Sequence, residues 1–319
     1  MRTTLTSSCE EAAAFIRRGE LAAFPTETVY GLGADALDVT AVKRIFEVKG
    51  RPTDNPMIVH LANADDIQSV VREISRAAGL LVSAFVPGPL TLVLEKASII
   101  PMEVTAGLTT VGVRVPAHPV AHEFLSACGR PVAAPSANRS GAPSPTTWES
   151  VREDLDGLVP CILKGDRSAV GLESTVVDCT GSTPMILREG AIGLDMLRTI
   201  VPGVQPSSTS GGRTERSPGL RHRHYAPEAR VRLYDPDAPV PAESSAYIGV
   251  SRPLAEAGFE IVMICRDVDH YAHELFHFFR ECDRKGVRRI YCQRPPASGI
   301  GAALLDRIVR AGEPASRKG

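Results

Sequence analysis

The chain is poor in the features that mark secreted, membrane-spanning or metal-clipped proteins. Its seven cysteines, Cys9, Cys128, Cys161, Cys179, Cys265, Cys282 and Cys292, form no C-x-x-C pair and are odd in number. That argues against a disulfide framework and a zinc ribbon, and leaves small buried hydrophobes as their expected role. No apolar run approaches the roughly 20 residues that cross a bilayer. Met1-Arg2-Thr3-Thr4-Leu5-Thr6 lacks the apolar core of a signal peptide. A cytoplasmic protein without membrane contact is expected. Charge of one sign is missing as well: 36 Lys and Arg against 37 Asp and Glu leave a net charge of −1. Any direct binding of nucleic acid would then depend on a local patch and be weak.

Several catalytic signatures are also absent. No Ser-His-Asp or Cys-His constellation stands out. Gly299-Ile300-Gly301 is half of a dinucleotide fingerprint with its third glycine missing, and reads as a helix N-cap. His118 and His122, and His270, His273 and His277, have the spacing of metal ligands but no supporting cysteine or motif. Capping or surface roles are expected for them, with no zinc or other resident metal.

What is present is ordinary globular material, 43% hydrophobic and 23% charged, in 319 residues that suit one large domain and a smaller one. Strands are expected at Leu21–Phe24, Met57–Leu61, Thr91–Leu94, Val111–Val115, Pro131–Ala134 and Ser174–Val177, with Ile186–Gly190 beside the last. Helical spacing joins Val42, Ile45, Phe46 and Val48, and again Ile67, Val70, Val71 and Ile74. Residues 1–202 therefore read as a mixed α/β domain. The Ser/Gly-rich start of 203–229 reads as a flexible connection, and its end, Arg221-His222-Arg223-His224-Tyr225, as a segment suited to lie across an anion. Residues 230–319 alternate strands with helices over His270–Lys285 and Ile300–Ala311, the pattern of a small parallel α/β domain.

Phe24-Pro25-Thr26-Glu27-Thr28-Val29-Tyr30-Gly31-Leu32-Gly33 places hydroxyls and a glycine pair ahead of Lys49-Gly50-Arg51-Pro52 and Asn55-Pro56. Lys49 and Arg51 could merely complement a helix dipole, but on a turn pinned by Pro52 they make a phosphate clamp. Ser136 and Asn138 alternate, so an extended backbone would turn both toward the same phosphates as neutral donors. Arg114, in an apolar strand, wants an anionic partner, either a substrate carboxylate or an internal acid. Ser174 and Arg188 gain interest by convergence with these loops.

Pro25 to Gly33, Lys49-x-Arg51, Pro87-Gly88-Pro89-Leu90-Thr91, Pro135-Ser136-Ala137-Asn138-x-Ser140-Gly141 and Glu173-Ser174-Thr175-Val176 stand in the order that resembles the YrdC-type threonylcarbamoyl-AMP synthases. Ser217-Pro218-Gly219, His224-Tyr225-Ala226-Pro227 and the second domain resemble that family's long form. The resemblance implies a curved mixed sheet with helices plus a smaller Rossmann-like α/β C-terminal domain. It implies that L-threonine, bicarbonate and ATP give threonylcarbamoyl-AMP and pyrophosphate, a chemistry for which Mg2+ on the ATP phosphates is expected. The product would feed the threonylcarbamoyl-transfer machinery acting on tRNA. By motif position, Thr28, His60, Arg114, Ala134 and Ser174 would hold threonine. Lys49, Arg51, Asn55, Thr110, Ser136, Asn138, Ser144 and Arg188 would surround ATP, with Lys49, Arg51, Ser136 and Asn138 as its catalytic grip. His224 or Tyr225 would close over the nucleotide. Two other readings stand beside this one: a double-stranded RNA-binding module, disfavoured by the near-neutral charge, and a carbamoyltransferase on the same fold, disfavoured by the chain length.

Overall fold

In the computed structural model, residues 2–206, 225–237, 244–254 and 258–313 are described. The expected cationic segment Arg221 to His224 lies outside these residues.

Ten strands form the first sheet: β1 (Thr4–Thr6), β2 (Ala22–Phe24), β3 (Gly31–Asp35), β4 (Ile58–His60), β5 (Leu90–Glu95), β6 (Thr110–Arg114), β7 (Val132–Ala134), β8 (Cys161–Leu163), β9 (Thr175–Asp178) and β10 (Met185–Arg188). Their spatial order is β1-β8-β2-β3-β7-β4-β6-β5-β9-β10, with parallel and antiparallel pairs mixed. Most strands are buried on both faces, so they read as short apolar runs rather than as alternation. Gly33 of β3 has to lack a side chain: a Cβ there would lie 2.8 Å from Val132 Cγ1 and 3.2 Å from the Ala22 carbonyl oxygen.

Eight helices pack around this sheet among the described residues: α1 (Cys9–Arg17), α2 (Val39–Lys49), α3 (Ile67–Val70), α4 (Arg76–Phe85), α5 (Met102–Thr105), α6 (Pro119–Cys128), α7 (Trp148–Leu155) and α8 (Leu194–Ile200). In α2, Asp38 caps the start by accepting from Thr40 and Ala41 N–H groups, and Gly50 ends it in the left-handed conformation at φ 60°. Its Ala41, Val42, Ile45 and Phe46 stripe is buried, which carries Lys49 inward as well. The helix expected over Ile67 to Ile74 is cut short. α3 stops at Val70, and Val71 takes extended geometry and bridges Lys96, with the Arg72 N–H donating to the Glu95 carbonyl. Pairing alongside β5 outweighs the helical spacing, and Ser75 then caps a separate α4.

The C-terminal domain is an all-parallel sheet of β11 (Arg230–Leu233), β12 (Ser245–Gly249), β13 (Ile261–Ile264) and β14 (Arg289–Cys292), ordered β11-β14-β12-β13, with α9 (Val268–Arg284) and α10 (Ile300–Gly312). α9 buries Tyr271, Leu275, Phe276, Phe278 and Phe279. Each such side chain contributes roughly 1.5–3 kcal/mol by leaving water. Gly299 stands at the N-cap of α10. This second core does not end at the domain edge, because Val29, Leu172 and Tyr225 belong to it. Gly171, at φ 82°, permits the contact, since a Cβ there would lie 2.5 Å from the Cα of His273. Arg280 reaches Asp154 at 2.7 Å, and Arg167 grips Glu274 at 2.9 and 3.1 Å.

All seven cysteines are free and buried, and burial pushes the Cys161 thiol up to about 12. His118 accepts from the Ala121 N–H at 3.4 Å as the N-cap of α6. No helix among the described residues is long and apolar enough to cross a membrane.

Candidate active site

The segment between β2 and β3 builds one wall of a cleft through a run of hydroxyls. Thr26 Oγ1 donates to the Val29 carbonyl at 2.7 Å, which leaves it to accept from Thr28 Oγ1 at 2.9 Å. Thr28 in turn accepts from Arg114 Nη1 at 2.8 Å, and Arg114 Nε donates to the Gly88 carbonyl. The sheet register brings the neighbours in: His60 pairs with Arg114 across β4 and β6, and Ile58 pairs with Ala134 across β4 and β7. Arg114 also meets Glu27, with Nη2 2.8 Å from Oε1. The angles are poor, so neither Glu27 oxygen accepts an aligned hydrogen bond and Nη2 donates none. Arg114 is therefore neutralised from behind yet keeps hydrogen-bonding capacity.

His60 is buried against Phe24, edge to face at 5.7 Å, and its Nδ1 lies 3.2 Å from the Ile58 carbonyl. Burial, then the nearby Arg114 charge, pulls its pKa from 6.5 to about 3, so the ring is neutral at any ordinary pH.

The facing wall is cationic. Arg51 donates to the carbonyls of Asn55 at 3.1 Å and Pro56 at 2.8 Å. Arg188, at the end of β10, donates to the Ser174 carbonyl at 3.0 Å and to Ser174 Oγ at 3.2 Å. Burial and the Arg188 charge draw Arg51 down to about 10, against a rise from Tyr225. Arg188 is drawn down by burial and by Arg307 and Arg114, and raised by Tyr225 and Glu173. Lys49 is lowered further, by burial and then by Arg51. Buried cations that depress one another's protonation would be relieved by an anion placed among them.

The cleft is a partly enclosed concavity that opens to solvent. Of the residues expected from sequence, Thr28, Arg51, His60, Arg114, Ala134, Ser136, Ser174, Arg188 and Tyr225 line it. Lys49, Asn55, Asn138, Ser144 and Thr110 do not, and His224 lies outside the described residues. Lys49 Nζ instead holds the loop from behind, donating to the carbonyls of Ser136, at 2.6 Å, and Asn138. The expectation that Ser136 and Asn138 both turn toward the ligand is not met. Ser136 Oγ donates to Asn138 Oδ1 at 2.5 Å, while the Asn138 amide donates to the carbonyls of Arg139 and Ala142. Ser136 bridges Gly31 and the backbone bends from Ala137 on, so alternation does not extend to Asn138. Thr110 sits at the far end of β6, opposite Glu95.

Two residues were missed. Glu173 lines the cleft and accepts from Ser144 Oγ at 2.5 Å. Arg307 of α10 donates to the other Glu173 oxygen at 2.9 Å. A charge inside the stripe Ile300, Ala303, Leu304, Ile308 and Ala311 was a readable signal for Arg307.

No group of three His, Cys, Asp or Glu that could hold a metal occurs among the described residues. The two nearby carboxylates, Glu27 and Glu173, are committed to Arg114 and Arg307. Among the described residues, therefore, the protein groups do not fit a resident magnesium site.

The ten-stranded mixed sheet with its cationic cleft, joined to a parallel C-terminal sheet, defines a two-domain α/β protein with a site suited to anions. The family described as "Telomere recombination" (Sua5, YciO and YrdC) matches residues 14–190, and that described as "Threonylcarbamoyl-AMP synthase, C-terminal domain" matches residues 192–312. The chain belongs to the two-domain, Sua5-type threonylcarbamoyl-AMP synthases. It is 41% identical over 314 residues to threonylcarbamoyl-AMP synthase of Pyrococcus abyssi, covering 94% of this chain and 92% of the relative. The solved structure of P. abyssi Sua5 complexed with L-threonine superposes with a TM-score of 0.88 at 38% identity, over 98% of this chain and 97% of that one. A Vibrio vulnificus threonylcarbamoyl-AMP synthase, 31% identical over 188 residues, is covered along 100% of its length by 58% of this chain. The activity is synthesis of threonylcarbamoyl-AMP, for threonylcarbamoyladenosine modification of tRNA.

Proposed function

We propose that the cleft seats L-threonine against Thr28, His60, Arg114, Ala134 and Ser174, and the ATP phosphates against Arg51, Ser136 and Arg188. Lys49 and Asn138 fix the Ser136 loop from behind, and Asn55 and Ser144 buttress the nucleotide side. Thr110, though expected at ATP, does not line the cleft and is given no role in this reading. Tyr225, with His224 before it, closes over the nucleotide. The observation that carries this reading is the unequal compensation of charge: Arg114 already has Glu27, while Arg51 and Lys49 hydrogen-bond only to neutral groups. The L-threonine complex of the P. abyssi relative supports the amino-acid half.

On this reading the threonine α-amine attacks the bicarbonate carbon, an N–C bond forms, and the amine proton leaves with a hydroxide as water. An oxygen of the resulting carbamate attacks the α-phosphorus of ATP. The bond from that phosphorus to the bridging oxygen breaks, and pyrophosphate leaves with the electron pair. Arg51 and Arg188 offset the charge growing on the departing oxygens. The Arg114 fork holds the threonine carboxylate, and the neutral His60 ring orients the substrate without adding charge. The buried walls keep water from the carbamate and from the mixed anhydride product. Magnesium enters on the triphosphate, as part of the substrate.

We read 1–202 as the catalytic domain, 203–229 as the connection and 230–319 as the C-terminal domain, a division that the two sheets and the two family matches support. A cytoplasmic location fits the use of ATP and tRNA. The deciding assay is pyrophosphate release from ATP. It should require both L-threonine and bicarbonate, and release that persists without either would refute the scheme.

A further inference from the structure

Tyr225 has φ 67°, a left-handed conformation that costs a non-glycine residue about 1–3 kcal/mol and persists only where its surroundings over-determine it. Those surroundings come from the C-terminal domain. Phe276 of α9 stacks on the ring at 5.4 Å, and the Arg307 guanidinium of α10 lies 5.3 Å from the ring centroid. Arg307 is wholly buried, and besides Glu173 it donates to the Glu189 carbonyl at 3.0 Å and to Asp306 at 2.7 Å. One side chain thus ties together the Glu173 loop, the turn after Arg188 and the ring that covers the cleft.

We propose that Arg307 is a positioning residue for ATP, through which the C-terminal domain sets the nucleotide side of the active site. The proposal rests on the reading of the cleft given above. It acts by geometry: Nε of the planar guanidinium fixes Glu173 while its two Nη groups hold Asp306 and the Glu189 carbonyl, Glu173 holds Ser144, and the guanidinium face holds Tyr225.

The test uses the full chain, with steady-state pyrophosphate release and thermal unfolding. Arg307→Met should lower kcat/KM for ATP on the order of 10²-fold, while the apparent KM for L-threonine stays near that of the unsubstituted chain. Arg307→Lys keeps the charge but not the fork, and should recover only part of the loss. A merely structural arginine would reduce the active fraction and leave both KM values alone, and that outcome overturns the proposal. If Arg307→Met does not fold, Arg307→Lys carries the test, and unchanged ATP kinetics there overturns it equally. Arg188→Ala, run in parallel, separates the two levels. If its KM for ATP is unchanged, the assignment of the phosphate wall fails. If that KM rises while the Arg307 variants behave like the parent chain, only the role of Arg307 fails.

Discussion

Arg114, which lines the cleft, and Lys49, which stands behind its Ser136 loop, are both buried cations, yet the protein treats them in opposite ways. Arg114 has a carboxylate 2.8 Å away and a hydroxyl at the same distance, so its charge is largely offset before any ligand arrives. Lys49 hydrogen-bonds only to backbone carbonyls, and burial and then the repulsion of Arg51 push its protonation down against a rise from Asp154. A wall offset in advance suits a ligand with a single negative charge whose orientation matters. A wall left uncompensated suits one with several, because each phosphate oxygen relieves strain among the cations as it binds.

Four measurements probe this contrast. Lys49→Ala should have the largest effect, lowering the rate of pyrophosphate release on the order of 10³-fold by removing a cation and freeing the Ser136 loop. Were it harmless, the phosphate wall would lie elsewhere. Arg114→Ala should weaken apparent L-threonine affinity about 10²-fold, the scale of one lost partner in a buried charged contact, with little change for ATP. An unaltered threonine KM would refute the carboxylate assignment. Glu27→Gln should cost about 3 kcal/mol of stability in denaturant titration, since it orphans a buried arginine. Added L-threonine should recover more of that stability than it adds to the parent chain, and equal recovery would mean that the substrate does not reach Arg114.

The smallest effect concerns pH. His60 binds a proton near pH 3 when folded and near 6.5 when unfolded. Between those values the unfolded chain holds more protons, so stability rises with pH across that window and is flat above it. His60→Gln should make the rise shallower in pH-dependent unfolding. Threonine kinetics should show no His60 inflection between pH 6 and 8, because the folded ring is already neutral there.

Local pattern carried much of this. Short apolar runs marked β4, β5, β6 and β9, and a charge within such a run singled out Arg114 before its surroundings were visible. Of the two anionic partners weighed for Arg114 from sequence, the internal acid is present as Glu27, and the substrate carboxylate is the proposal that the threonine measurements test. What could not be read depended on distant chain. Val71 leaves its helix because Lys96 offers a backbone partner. Lys49 turns away from the cleft because the carbonyls of residues 136 and 138 lie within its reach. Glu173 stood inside a quoted motif without a role, since its partner Arg307 lies 134 positions further on.

The strand order has a consequence for synthesis. β8 sits between β1 and β2 and pairs with both, and the same edge is closed by Thr3 Oγ1 donating to the Val159 carbonyl, 156 positions away. Until that segment has left the ribosome, β1 has no partner and β2 presents an open edge. The nascent chain thus carries an unpaired strand for about half of its elongation. A chaperone acting before residue 163 is made would improve the yield of folded protein more than one acting after it, whereas a pause in translation before that point would prolong the exposure.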